Sequence, residues 1–501
     1  MSSADPDFDN RPAEHAGARP GLDPNRETVE QWLEALSGWA LDHLDGLETA
    51  PAQGLAGAVA LDVAAEVSKP ITEAPLDGGV EAVLDVLARA VPASFNTAGP
   101  GYLAYVPGGG LVAAGIADLV SNWTNRFTGL TPAAPALVRL EADVLRWLCA
   151  EFGYSDRAYG ILTSGGSAAN FSGFVAARVD RLGDDGDYRE AIAYTSGQAH
   201  HSVAKSLGLA GIPKRNLRQV PTDAAFRMRP DALYKQVQAD RAAGRRPFLV
   251  VASAGTTNTG AVDPLPALAD VCAKEELWLH VDGAYGGAFV LCDEGKRRLT
   301  GIERADSIAF DPHKGMFLPY GTGCLLARDG AALRRAHSAG ADYLQDVDAL
   351  DRDGESPSPH DYGPELSRDF RGLRLWLPLM LHGAAPFRTQ LQEKLTLAER
   401  FTDGLRAHIE RGLPAQVVAA PQLSTVAFRL SHREGESIDA WNARNQQWLR
   451  AINERGRAYL SSTLLPLPSG DSAFTLRVCV LSFRTHAERI DACLEDLVAT
   501  A

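Results

Sequence analysis

The chain has 501 residues, 45% of them hydrophobic, which is more than one compact domain needs and enough for a large core with smaller satellites. With 63 acidic against 49 basic side chains the formal net charge is −14, a balance that phosphate backbones and anionic membrane surfaces both repel. That excludes nucleic acid and membrane as partners, and six scattered cysteines without a C-x-x-C pair give no metal or redox spacing.

Residues 1–26 are rich in Pro, Asp, Ala and Gly and lack periodicity, so the sequence predicts a disordered tail. This polar, acidic start has no basic-then-apolar leader pattern, and no apolar run is long enough to cross a membrane; a soluble cytoplasmic chain is expected. From 27 to 95 the stretches TVEQWLEALSGWALDHL and GGVEAVLDVLARAV repeat apolar residues at three and four, the spacing of amphipathic helices. Their apolar faces need a partner surface, either the main domain or a second subunit.

From 96 to 385 short apolar runs alternate with helical stretches. GILTS, AIAYTS, FLVVAS, LWLHVD, SIAFD and GCLLAR read as strands, and SAANFSGFVAARVDRL and PLPALADVCAKEE as helices. This alternation predicts an α/β domain around a large, mostly parallel sheet covered on both faces. Residues 386–501 open with a long helical run and continue with STVAFRLS, a helix near AWNARNQQWLRAINERG, the strand FTLRVCVLSF and a final helix. They predict a small α+β domain.

Five segments carry chemistry, each at the end of a predicted strand. Lys314, one of eight lysines, follows SIAFD in a Pro/Gly turn, where an α/β sheet presents functional groups. Asp282 ends the apolar run LWLHVD, and a carboxylate there needs a partner because burying it unpaired is costly. A pyridinium nitrogen would serve, and the carboxylate would favour its protonated, electron-withdrawing form. The 32 residues between Asp282 and Lys314 allow the two to sit on neighbouring strand ends. In GILTSGGSAANF, Gly165 and Gly166 turn the chain into a helix starting near Ser167, so that backbone amides, a hydroxyl and the helix dipole can cradle a phosphate. His200, in AYTSGQAHHS, can stack on a flat aromatic cofactor and face a substrate carboxylate. Thr256, in ASAGTTNTG, can reach the cofactor's ring oxygen.

With TSGGSAAN, QAHHS, GTTNTG, HVDGAYGG and DPHKG in this order, and SRDFRGLRLWLPLMLHG downstream, the chain resembles the group II pyridoxal-5′-phosphate (PLP) dependent amino-acid decarboxylases, the family of aromatic-L-amino-acid and glutamate decarboxylases. The resemblance covers about residues 27–495. It implies the fold of aspartate aminotransferase (fold type I) and a homodimer with shared active sites, the N-terminal helices clasping the other subunit. It also implies PLP as cofactor and decarboxylation of an L-amino acid. By the same resemblance Lys314 forms the Schiff base, Asp282 pairs the pyridine nitrogen, His200 stacks on the ring, and Gly165, Gly166, Ser167 and His313 lie at the phosphate. Asp311 stands where several relatives carry Asn, and an acid so near a phosphate repels it unless protonated or turned away.

The resemblance also implies a mobile loop, here DYLQDVDALDRDGESPSPHDYGPELSRDF, whose tyrosine returns a proton to Cα. Tyr362 is the candidate, although it stands closer to SRDF than is usual, and Tyr343 is the substitute. In aldehyde-forming relatives that tyrosine is replaced, commonly by Phe, and oxygen reacts instead. The side-chain pocket maps onto Tyr105, Val106 and Pro107, with Phe127 arriving from the partner subunit. Val106 and Gly129 leave room, and Arg126 is the one cation in these two segments, so an aromatic or bulky apolar amino acid is expected as substrate. An oxygen-dependent aldehyde synthase and a catalytically silent PLP-binding protein are the alternatives on this scaffold.

Overall fold

A computed structural model describes residues 22–55, 58–184, 186–338 and 358–501. The chain divides into two compact units, residues 1–49 with 55–94, and residues 50–54 with 95–501.

The first unit carries helices α1 (Arg26–Gly46), α2 (Ala58–Val67) and α3 (Gly79–Ala90). Asn25 caps α1, its side chain accepting from the Thr28 amide, and so satisfies one of the donors every helix start leaves open. No residue of the three helices is buried, and Trp32, Leu41, Leu61 and Val83 are exposed.

The second unit holds both sheets. Its first helices are α4 (Val112–Thr124), α5 (Pro135–Glu151), α6 (Gly166–Leu182) and α7 (His201–Leu209). The larger sheet contains β1 (Tyr159–Thr163), β2 (Ala191–Ser196), β3 (Leu217–Val220), β4 (Arg246–Ser253), β5 (Trp278–Gly283), β6 (Ser307–Phe310) and β7 (Gly323–Ala327). Their order is β1-β7-β6-β5-β4-β2-β3. Neighbours from β6 to β3 are parallel, and β7 runs antiparallel to both β6 and β1. Consequently β1 points the same way as β6, and the C-terminal ends of six strands share one edge. Every residue of β2, β5, β6 and β7 is buried, which explains why those segments are continuously apolar rather than alternating. Leu279, Val281, Ile308 and Leu326 anchor the core around them.

The smaller sheet, β8 (Ala415–Ala419), β9 (Thr425–Leu430), β10 (Ser461–Pro466) and β11 (Ser472–Cys479), is antiparallel in the order β10-β11-β9-β8. It packs its own core of Phe401, Phe428, Trp448 and Ile490. Helix Ala385–Glu410 contributes Phe401 to this core and Leu391 to the first. The sequence-based division at 385 therefore falls where one helix serves two cores inside a single compact unit. The large mostly parallel sheet and the smaller α+β portion are as the sequence predicts. Strands β3, β8 and β10 were not visible in it, because their polar or half-exposed residues break the apolar pattern.

Candidate active site

Phe310 ends β6, and Asp311 leads into one helical turn, Pro312–Gly315, that carries Lys314. Proline opens the turn where its missing N–H is harmless. Gly315 keeps the turn close to the neighbouring loop, since a Cβ there would lie 2.4 Å from the Ala288 side chain. Lys314 Nζ donates to Asp311 Oδ2 across 2.8 Å. The Asp311 carboxylate is buried, and its Oδ1 has no hydrogen-bond partner among the described residues. His313 Nδ1 lies 2.7 Å from the Thr322 carbonyl and donates to it. Burial holds the His313 pKa below its ordinary value, partly offset by Asp311.

Facing Lys314 across a cleft of about 310 Å³ is the start of α6. The chain leaves β1 at Thr163 and enters α6 at Gly166, where the first main-chain bonds are those of Ala168 and Ala169 to the Gly165 carbonyl. The amides of Gly166 and Ser167 thus precede the hydrogen-bonded ladder and face the cleft with the positive end of the helix dipole. A Cβ on Gly166 would lie 3.0 Å from both the Ala284 Cβ and Asp311 Oδ2. Only glycine keeps this cradle open. Ser167, Ala168, His200 and Ser202 complete this side of the cleft.

Asp282 is the next-to-last residue of β5, paired in register with Ala309 of β6, so the neighbouring strand ends expected from the 32-residue spacing are present. The carboxylate is buried. Its Oδ1 accepts from the Ala284 amide at 3.1 Å and its Oδ2 from Asn170 Nδ2 at 3.1 Å. His200 caps α7, its Nδ1 accepting from the Ser202 amide. The Ser202 hydroxyl lies 2.8 Å from the same nitrogen. Burial lowers the His200 pKa, partly offset by Asp282.

The remaining predicted residues fall in different places. Tyr105, Val106 and Pro107 precede a glycine run packed on the Lys314 turn: a Cβ on Gly108 would lie 3.1 Å from the His313 carbonyl, and Leu111 N donates to Phe317 O. Tyr105 is exposed with φ +48°, its amide held by Ser461 Oγ, whereas Pro107 is buried. Thr256 is also buried, and the loop uses its hydroxyl: Oγ1 lies 3.0 Å from Thr259 Oγ1 and accepts from the Ala261 amide. Phe127 is exposed beside Gly129, near the Leu366 carbonyl. Tyr362 packs on Tyr159, ring centroids 4.7 Å apart, at the far end of β1 from the cradle. Four residues of strand separate the two ends, about 13 Å. Tyr343 lies outside the described residues.

Asn170 and Ser202 are polar site residues that the sequence reading passed over. Both lie inside motifs it singled out, TSGGSAAN and QAHHS, and a polar side chain on the inward face of a helix, α6 for Asn170 and α7 for Ser202, was the available signal.

These residues fit PLP. The glycine cradle suits a phosphate, Lys314 an aldehyde, and Asp282 a ring nitrogen that must stay protonated. Fold and site together define a PLP-dependent enzyme of fold type I. The conserved domain of pyridoxal-dependent decarboxylases matches residues 72–431. An aromatic-L-amino-acid decarboxylase of Bacillus atrophaeus is 36% identical over 78% of this chain and 79% of its own length. A phenylacetaldehyde synthase of Petunia hybrida is 30% identical over 85% and 84%. The crystal structure of Oryza sativa TDC with PLP and tryptamine superposes with a TM-score of 0.85, covering 96% of this chain and 99% of that one at 28% identity. The chain belongs to the pyridoxal-dependent decarboxylase family, and it is a PLP-dependent amino-acid decarboxylase.

Proposed function

We propose that the protein decarboxylates an aromatic L-amino acid to the amine, with Lys314 as the cofactor's covalent anchor. The observation that carries this is the convergence of Lys314, Asp282, His200 and the Gly165–Ser167 cradle on one sheet edge, in a chain 36% identical to an aromatic-L-amino-acid decarboxylase. Bound PLP supplies an electron sink for the pair left when carbon dioxide departs. Asp282, with both oxygens already held, presents a fixed negative charge that keeps the ring nitrogen protonated. His200 lines the cleft with Nδ1 taken by Ser202, which leaves Nε2 to donate to the substrate carboxylate. Lys314 receives the cofactor and returns to it when the amine leaves. Tyr105 and Val106 lie just before Gly108, which packs on the Lys314 turn, and so can meet a side chain.

We assign the proton that returns to Cα to the segment 342–370, with Tyr362 as candidate. Its packing on Tyr159 means that it acts after leaving that contact, or at a second subunit's site. We further propose a homodimer, supported by exposed Ile116, Val120 and Trp123 on α4 and by the unburied apolar residues of α1–α3. Six free, buried cysteines support a cytoplasmic setting. No described helix is long and apolar enough to cross a membrane.

The test is amino-acid challenge of the purified enzyme under air, with amine, carbon dioxide and peroxide quantified. Amine and carbon dioxide in equal amounts, with Lys314→Ala silent and lacking the lysine-bound cofactor absorbance, support the proposal. Aldehyde with peroxide would instead establish the second reading, which the Petunia relative favours. Peroxide appearing in Tyr362→Phe alone would assign the proton to Tyr362.

A further inference from the structure

A buried chain of hydrogen bonds ends on Asp282. Trp278 Nε1–H donates to Ser307 Oγ at 2.8 Å, Ser307 Oγ lies 2.8 Å from His280 Nδ1, and His280 Nε2 lies 2.9 Å from Asn170 Oδ1. Asn170 Nδ2 then reaches Asp282 Oδ2 at 3.1 Å and Ser202 Oγ at 3.2 Å. Asn170, Ser202, His280 and Ser307 are each no more than 1% exposed, so no water can substitute for a missing partner.

Only one arrangement of protons satisfies these contacts. The Asp282 carboxylate only accepts, so the amide nitrogen of Asn170 must face it. Asn170 Oδ1 then accepts from His280 Nε2–H. His280 is neutral, its pKa pushed down to about 4 by burial, so its Nδ1 is an acceptor and Ser307 supplies the hydrogen. The second N–H of Asn170 goes to Ser202 Oγ. The Ser202 hydroxyl, having accepted that bond, donates to His200 Nδ1, which also accepts from the Ser202 amide. His200 therefore carries its proton on Nε2, toward the cleft.

We infer that Asn170 is the positioning residue that couples the two sides of the site: one amide hydrogen orients Asp282, and the other, relayed by Ser202, sets the tautomer of His200. The inference deepens the proposed function and rests on it for the roles of Asp282 and His200. A smaller side chain would still pack α6 but would leave Asp282 Oδ2 and Ser202 Oγ without a donor.

The experiment uses full-length Asn170→Ala and Ser202→Ala. Affinity for PLP is titrated by absorbance, and the His200 tautomer is read by ¹⁵N-histidine NMR of the cofactor-free proteins, with His200→Gln assigning the signal. Loss of a hydrogen bond to a charged group should weaken PLP binding by Asn170→Ala roughly tenfold or more. Ser202→Ala should stay within about threefold of wild type, because Asp282 keeps its donor. Both variants should turn a single Nε2–H form into a mixture, because the Ser202 amide that remains, 3.3 Å from Nδ1, is the weaker of its two donors. A folded Asn170→Ala that binds PLP as the wild type does would overturn the inference, as would a Ser202→Ala that keeps the single tautomer. If Asn170→Ala does not fold, the Ser202→Ala tautomer decides. A wild type that takes up no PLP would defeat the proposed function instead, and the cofactor-free tautomer would still decide this inference.

Discussion

Lys314 Nζ and Asp311 Oδ2 stand 2.8 Å apart, the lysine side chain 23% exposed and the carboxylate 3%. The same carboxylate oxygen borders the cradle, 3.0 Å from where a Gly166 Cβ would be. To attack an aldehyde the Lys314 amine must give up this contact. The carboxylate's charge also opposes an incoming phosphate.

Asp311→Asn should therefore bind PLP more tightly, by about tenfold, the effect of one close like charge partly screened by solvent. It should also form the lysine linkage faster, because a neutral amide holds Nζ less tightly than a carboxylate. Stopped-flow absorbance during PLP addition measures both, and unchanged affinity would mean that the carboxylate turns away when phosphate enters.

Gly166→Ala fills the cradle. Its methyl group would lie 3.0 Å from the Ala284 Cβ and from Asp311 Oδ2, a distance at which the neighbours must yield. Affinity for PLP should fall by roughly one to two orders of magnitude, because the amides can no longer close on the phosphate. The melting temperature of the cofactor-free protein should change little, since alanine suits the first turn of a helix. Calorimetry of the cofactor-free and PLP-bound forms separates the two effects.

His280 gives the fold an acid sensitivity. Burial holds its pKa at about 4, against an ordinary 6.5. Between those values the unfolded chain binds a proton that the folded chain refuses, so stability present above pH 6.5 declines on acidification, by roughly 3 kcal/mol at pH 4. His280→Gln removes the titrating group. Its unfolding free energy, measured by urea titration across this range, should fall less steeply with acid than that of the wild type.

Tyr105 is exposed, with φ +48° and its amide donating to Ser461 Oγ, three residues before Gly108, which packs on the Lys314 turn. Tyr105→Leu should raise KM for an aromatic amino acid roughly threefold to tenfold, the worth of one aromatic contact, and change kcat less. Steady-state kinetics with an aromatic and a linear amino acid would show the loss confined to the aromatic one if the ring recognises the side chain.

Much of the site is local, and so legible in the chain itself. A lysine one turn beyond a buried strand, a carboxylate at the end of another and two glycines before a helix each follow from a few consecutive residues. Those residues set both where the chain reverses and what it displays there. The apolar runs that became β2, β5, β6 and β7 were likewise readable, because a strand covered on both faces needs no partner to reveal its pattern. What only the tertiary structure decided depends on residues far apart in sequence. It spent the Thr256 hydroxyl on its own loop, set Tyr362 against Tyr159, and brought Asn170 of α6 between Asp282, Ser202 and His280. Such pairings are settled by the packing of α6 on the sheet, and burial at these contacts leaves each polar atom only the partners that packing supplies.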